Sequence, residues 1–494
     1  MMPMPALRAP RLVFGLIVAA YLTIASLYAL LTPAWQAPDE PAHYNYIRHL
    51  AEQRALPVLQ AGDYDQAYLE EIKARHFPPK MAIDPIRYES HQPPLYYALA
   101  TPLYWLADGS LLALRLFSVL LGAALLWVTR RILETIFPAR AWLALGGVAF
   151  VAFLPQHVAM SAAVNNDVLG ELMLAAAAAL SLAYLRGSRG GSRDDAHDRR
   201  LLVALALVTA AGLWTKTSAY LALPLAFLAI LWRARDGAPL GSRLALGLGP
   251  ALLLGLPWWA RNWAVYGAGD LLGLRRHDAV VVGQPRTVEW LAQMGPLPFL
   301  RQALETTSHS FWGQFGWMGV LLDSRIYLAL QMLTLLVALG LGWALWEMMR
   351  SSALTPFQRR ALAFLGAWLA LTAASYLWYN LTFVQHQGRY LFPALPVWGL
   401  AFALGWSQAL QPRCSRWGSI FFLALAALYV GAGLWSGDVN KWAAAMAGAL
   451  AIALGINSWL LPAWLRRWIA PLVYVGLAAL DLLALWGFIL PQLS

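Results

Sequence analysis

The 494-residue chain has a single cysteine and few charges: 12% of its residues are Asp, Glu, Lys or Arg, while 60% are hydrophobic. Soluble domains carry about a quarter charged residues, so a chain of this length and charge has no means of covering its surface in water. That excludes a cytosolic enzyme and a disordered chain. The lone Cys414 excludes internal disulfides, a secreted disulfide scaffold and thiolate metal clusters. Lysine is scarce too, with only Lys73, Lys80, Lys216 and Lys441 among 36 basic residues. The remaining class is an all-α polytopic membrane protein, in which the net charge of +11 reads first as a topology signal and not as nucleic-acid binding.

A spanning helix needs about 20 mostly apolar residues. The first candidate, Leu12 to Leu31, has no charge and exceeds a signal-peptide core, so it reads as an uncleaved anchor. Others begin near Leu111, Ala141, Val168, Leu201, Ala219, Leu244, Tyr327, Ala361, Leu391, Ile420, Trp442 and Leu472, which gives about thirteen spans. Pro93 to Leu106 is apolar but short, with Pro93, Pro94 and Pro102. If it lies along the interface, the Arg-rich segments fall on one side: Arg8 and Arg11; Arg130, Arg131 and Arg140; Arg186, Arg189, Arg193, Arg199 and Arg200; Arg233, Arg235 and Arg243; Arg350, Arg359 and Arg360; Arg413 and Arg416; Arg466 and Arg467. The positive-inside rule makes that side cytoplasmic, with the N-terminus inside and the C-terminus outside. Gly187 to Arg200 reads as a flexible charged linker. Two hydrophilic segments, about 32–110 and 262–325, then face outward, and chemistry is expected there.

Asp39 and Glu40 follow the first span directly, and Pro41 suits the first turn of a helix over about Ala42 to Arg54. That helix is either a solvated interfacial element whose acidic residues offset its dipole, or the holder of a general base at a cavity mouth. Glu89 and His91 precede Pro93-Pro94, and His91 alternatively caps the next helix. Arg115, at the outer end of the second span, is costly in a membrane and pairs with a carboxylate or binds substrate.

These residues in this order resemble the GT-C superfamily of membrane glycosyltransferases, which use lipid-phosphate-linked sugars. The pattern of first span, Asp-Glu, His-x-Pro-Pro-Leu and Arg is similar to protein O-mannosyltransferases and the lipid A aminoarabinose transferase. Leu154-Pro155-Gln156 with Asn165-Asn166-Asp167, Ser310-Phe311-Trp312-Gly313-Gln314-Phe315-Gly316-Trp317 and Gln387-Gly388-Arg389-Tyr390-Leu391-Phe392-Pro393 resemble a bacterial GT-C-like branch of largely unassigned function. The resemblance implies a GT-C-like catalytic module over 1–410, with less specific transmembrane helices over 411–494. It implies Asp39 as catalytic acidic residue with Glu40 beside it, Asp167 as the acidic residue of a later span and Glu89 as the acidic position before Pro-Pro. The aminoarabinose transferase has Lys before its Pro-Pro, where this chain has His91-Gln92.

Such a transfer needs a base, cations for the departing phosphate and a lipid groove. Asp39 is expected to be the base, its pKa raised by the neighbouring carboxylate and partial desolvation. Lys216, Arg261, Arg275, Arg276 and Arg389 are the outer-face cations, with His386 and Tyr390 beside the last; Lys216 alternatively snorkels and Arg261 anchors. Asp39, Glu40, His43, Glu89, His91, Asp167 and His277 include oxygen and imidazole ligands for a divalent metal, the chief candidates being Asp39, Glu89, Asp167 and His277; no compact metal motif is present and no cofactor is required. The expected function is transfer of a sugar from a polyprenyl-phosphate donor to an extracytoplasmic glycan, lipid or protein at the inner (plasma) membrane, the resemblance implying inversion. An O-antigen-ligase-like transferase and a lipid or solute transporter are the alternatives; a transporter would place ionisable residues near the bilayer midplane.

Overall fold

A computed structural model describes residues 8–187, 192–351 and 354–493. Arg189 lies outside the described residues, as do the side chains of Arg8, Arg193 and Arg467. Among the described residues, ten helices are long and apolar enough to cross a membrane, or up to twelve if two bent helix pairs each form one span. The only strands described, Gln314–Phe315 and Val320–Leu321, form a small antiparallel hairpin. The architecture is therefore the all-α membrane bundle expected.

The one expected span not among these twelve, near Leu201, is a helix whose first half is polar. It runs over Ser192–Leu213, so the segment expected to be a flexible linker is helical from Ser192 on. Charge pairing explains the difference: Asp195 accepts from Arg199 at 2.9 Å and from Arg243, and Asp198 meets Arg233 at 3.4 Å. Asp236 binds Arg360, and Gln358 donates to Ile136 O at 3.0 Å. These contacts gather the ends of five helices at one end of the bundle, as the alternation of Arg-rich segments requires.

One bent pair joins Ala141–Ala152 to Pro155–Ser161 at 64°. Pro155 has no N–H to continue the first helix and disfavours a helical conformation at Leu154, which is extended at φ −86°, ψ 110°. Beyond the break, Gln156 Oε1 accepts from Gln314 N at 2.8 Å. Close packing of the spans relies on small residues: a Cβ on Gly340 would lie 2.0 Å from Gly405 O.

Leu95–Leu106 is a helix of 12 residues, about 18 Å at 1.5 Å per residue, too short to cross. Glu40–Gln53 packs against it, with Tyr46 stacked on Tyr97 at 3.7 Å between ring centres. Glu40, His43, Asn45, Tyr46 and Ile47 of that helix are buried, so it is not a solvated surface helix. At the C-terminus, Pro412–Ser436 and Lys441–Trp459 share an apolar cluster around Phe422, Ala447 and Leu454. The last span, Leu472–Leu493, instead joins the main core through Leu477, Leu485 and Ile489, and Tyr28 donates to Asp481 O at 2.7 Å.

Candidate active site

Asp39 precedes the helix Glu40–Gln53 with φ +66° and ψ −6°. A left-handed conformation costs a non-glycine residue of order 1–2 kcal/mol and is tolerated best by Asp and Asn. Its effect here is to turn adjacent carboxylates in different directions. Asp39 makes no capping bond; its Oδ1 accepts from the Tyr88 hydroxyl at 2.8 Å and its Oδ2 from Arg389 Nη2 at 2.7 Å. Glu40 points inward and forms two bonds with Arg115, at 2.8 and 2.6 Å. Arg115 spends its other donors on the carbonyls of Ala29, Thr32 and Pro33, and Glu40 also accepts from Trp35 N and Val164 N. Both side chains are buried, and neither lines the cavity that Asp39 borders.

Arg389 is the second residue of the 3-10 stretch Gly388–Ala394. A Cβ at Gly388 would lie 2.3 Å from Phe311 N and 2.5 Å from Thr307 O, so only glycine allows this turn to lie on the helix Pro296–Trp312. Ser310 Oγ accepts from Gly388 N at 2.7 Å, and Gln387 Oε1 accepts from Arg389 Nε at 2.7 Å. Arg389 thus faces Asp39 on one side and, at 4.0 Å, Asp167 on the other. Asp167 opens the helix Asp167–Arg186 and meets Lys216 Nζ at 2.5 Å. Asn166 holds the lysine turn, taking Lys216 Nζ at 3.1 Å and donating to Thr215 O at 3.1 Å. The result is an alternating row, Asp39, Arg389, Asp167, Lys216, drawn from four distant parts of the chain.

The Asp39 and Arg389 end of the row borders a cavity of about 350 Å³ lined also by Tyr88, Glu89, His277, His386 and Tyr390, with Trp290, Trp317 and Tyr379 on its walls. Trp317 is held in a turn where Gly316, Trp317 and Met318 all have positive φ, a strained arrangement for two bulky residues. Its indole donates to Trp35 O at 2.9 Å and so ties the cavity wall to the loop carrying Asp39.

The electrostatics correct one expectation. Burial alone would raise the Asp39 pKa, but the charge of Arg389, with smaller contributions from His43 and Tyr88, lowers it to about 2. The neighbouring carboxylate that was to raise it, Glu40, is turned away onto Arg115. The Glu89 pKa does rise, through burial and the charge of Asp39, although His43 and Lys216 oppose this; its Oε2 is buried without a partner. The rings of His91 and His277 lie 4.5 Å apart, and burial lowers their pKa values to about 4 and about 3.

Arg275 and Arg276 are not brought to the cavity. Their backbone N–H groups bind the Asp270 carboxylate, and the Arg276 side chain donates to Leu59 O. Arg261 braces Pro57 O at 2.5 Å and lies over Trp258, the anchoring alternative. The metal candidates Asp39, Glu89, Asp167 and His277 form no metal-holding group: among the described residues no three His, Cys, Asp or Glu side chains are so arranged. In the row, Arg389 stands between Asp39 and Asp167 and Lys216 takes the other side of Asp167. Sequence reasoning missed Tyr88, Asn166 and Gln387 as site residues, although each stands next to a named one: Glu89, Asp167 and His386.

The solved structures that this chain resembles are integral membrane proteins of the GT-C fold. ArnT from Cupriavidus metallidurans in the apo state superposes with a TM-score of 0.50 and 17% identity, over 97% of this chain and 73% of that one. The same protein bound to undecaprenyl phosphate gives 0.47 and 18%, over 99% and 74%. The Archaeoglobus fulgidus oligosaccharyltransferase AglB, in complex with an inhibitory peptide and a dolichol-phosphate, gives 0.46 and 13%, over 95% of this chain and 56% of that one. This chain thus spans little more than half of the archaeal protein. No protein-family model matches the sequence, and no curated protein matches it. The likeness to apo ArnT shows the fold alone, and it is the GT-C fold that the motifs led us to expect.

Proposed function

We propose that the chain is a glycosyltransferase that moves a sugar from a polyprenyl-phosphate donor to an acceptor hydroxyl outside the inner membrane, N-terminus cytoplasmic. The observation that carries this reading is the row Asp39, Arg389, Asp167, Lys216, whose first two members line one cavity, on a GT-C fold. Arg389 and Lys216 are the groups to hold the donor phosphate, since charge-assisted bonds from fixed cations stabilise a departing phosphate. Both already hold carboxylates, so a phosphate competes for them. Once it takes Arg389, Asp39 loses the contact that keeps its pKa near 2 and becomes a better proton acceptor. The acceptor oxygen then bonds to the anomeric carbon as the carbon–phosphate-oxygen bond breaks. The hydroxyl proton passes to Asp39, and polyprenyl phosphate leaves. Attack opposite the phosphate inverts the anomeric centre.

Asp39→Asn keeps the shape and removes the base. Transfer from a radiolabelled polyprenyl-phosphate sugar should fall by about 10²–10⁴-fold, the range for loss of general-base catalysis, with the lipid still bound. Full activity in this variant would refute Asp39 as base.

A further inference from the structure

The second outer segment is not hydrophilic throughout. Two of its helices, Thr287–Met294 and Pro296–Trp312, are joined at Gly295, and between them they bury only Ser310 and Trp312. Leu297, Leu300 and Leu304 recur at the spacing of one helix face and are 76%, 53% and 64% exposed. Val288 and Leu291 of the shorter helix are exposed as well. The other side of the pair is put to a different use: Gln302 and Thr306, about 200° round the helix from Leu300 and Leu304 at 100° per residue, line the cavity together with Trp290. The hairpin thus has a cavity face and an apolar face with no partner among the described residues.

Its depth is set by the span Pro356–Asn380. Thr287 donates from its hydroxyl to Asn380 O at 2.8 Å and from its backbone to Thr382 O at 3.2 Å, which fixes the start of the hairpin at the outer end of that span. Thr307 Oγ1 lies 2.6 Å from the Tyr376 hydroxyl, about one turn inside the same end. At this level the span itself exposes Leu377 and Trp378, with Leu381 just beyond it, so hydrocarbon already faces outward where the hairpin is attached. Both segments are helical and satisfy their own backbone groups, as a chain at membrane depth must. Arg301 and Glu305, exposed beside the leucine stripe, can reach from its edge to headgroups and water.

We propose that the outer leaflet of the bilayer covers this apolar face. The hairpin lies along the membrane surface with Leu297, Leu300 and Leu304 among the acyl chains, as an amphipathic interfacial helix does, and one wall of the cavity is carried by a membrane-seated element.

The test uses the full chain, one copy per phosphatidylcholine nanodisc, with Cys414, which is buried, replaced as Cys414→Ala. Nitroxide labels are placed singly through Leu297→Cys, Leu300→Cys and Leu304→Cys, with Leu377→Cys on the span and Gln293→Cys, an exposed polar position of the hairpin, as references. Oxygen, which concentrates in hydrocarbon, should relax the three stripe labels more than a water-soluble nickel chelate does, as at Leu377, and the order should reverse at Gln293. A nickel-dominated response at Leu300 and Leu304 would place the face in water and overturn the inference. So would immobilised labels reached by neither reagent, which would mean that a protein surface covers the stripe. The unaltered chain supplies a second measurement: a phosphatidylcholine with a diazirine on its acyl chain should label peptides containing residues 297–304 as well as 377–381, and labelling of the latter alone would refute the seating without recourse to any variant.

Discussion

Glu40 stands next to the proposed base, yet its contacts are those of a structural anchor, and the two roles predict different variants. Removing Arg115 as Arg115→Met strips Glu40 of two charge-assisted bonds at 2.6 and 2.8 Å in a site where Glu40 is 0% and Arg115 3% exposed. It also frees the carbonyls of Ala29, Thr32 and Pro33. A buried carboxylate left without its partner costs about 3–5 kcal/mol, a large share of typical stability. Glu40→Gln in the same background removes the stranded charge while leaving an acceptor for Trp35 N or Val164 N. The double variant should therefore recover about 2 kcal/mol relative to Arg115→Met. Unfolding titrations in mixed micelles on the wild type, both single variants and the double variant give the coupling energy. A loss below about 1 kcal/mol in Arg115→Met, within the range of ordinary substitutions, would refute the structural reading. So would a Glu40→Gln protein with wild-type stability and lipid binding but no transfer, which would make Glu40 a chemical participant.

Gly388→Ala should destabilise the protein by at least about 1–3 kcal/mol, the cost of overpacking, because its Cβ would meet the Phe311 and Thr307 backbone; it should also weaken undecaprenyl-phosphate binding by displacing Arg389. Arg389→Lys keeps the charge but cannot reach both Asp39 and Gln387, so lipid-phosphate affinity should fall about tenfold or more in a flotation assay; unchanged affinity would remove Arg389 from the phosphate site. Stability should also depend on pH. His91 and His277 have folded pKa values lowered from 6.5 to about 4 and about 3, so the folded state binds fewer protons. Their contribution is fully present above pH 6.5 and is lost as pH falls toward those values. Glu89, with its pKa raised, runs the other way. The unfolding midpoint of the wild type should decline between pH 6.5 and 4, and His91→Gln should flatten that decline; an identical pH profile would show that His91 does not titrate on unfolding.

The bundle was legible because bilayer physics acts on composition: uncharged runs of sufficient length mark spans, and Pro93, Pro94 and Pro102 mark the segment that cannot be one. The span near Leu201 was less clear, because Asp195 and Asp198 look like linker residues until Arg243 and Arg233 are seen beside them. Asp39, Asp167, Lys216 and Arg389 were found one at a time by their outer-end positions. Their convergence was not readable, since it depends on a Gly388 turn resting on a helix about 80 residues earlier. Arg275 and Arg276 show the converse: charge and sidedness nominate them, and the Asp270 turn turns them to another use.

The pair Asp39-Glu40 illustrates how far a motif can go. In sequence the two carboxylates are equivalent, and their adjacency argues for mutual repulsion and a raised pKa. One backbone angle undoes that argument: with Asp39 at φ +66°, Glu40 is committed to Arg115 and Asp39 to Arg389. Each carboxylate then has its own arginine. The difference lies in what else those arginines can do. Arg115 is buried among backbone carbonyls that offer no exchange of partners, so its bond to Glu40 is permanent. Arg389 faces a cavity, where a phosphate can replace Asp39 as its partner. In the proposed reaction, the exchangeable arginine is therefore what makes Asp39, and not Glu40, a base available only when the donor is bound.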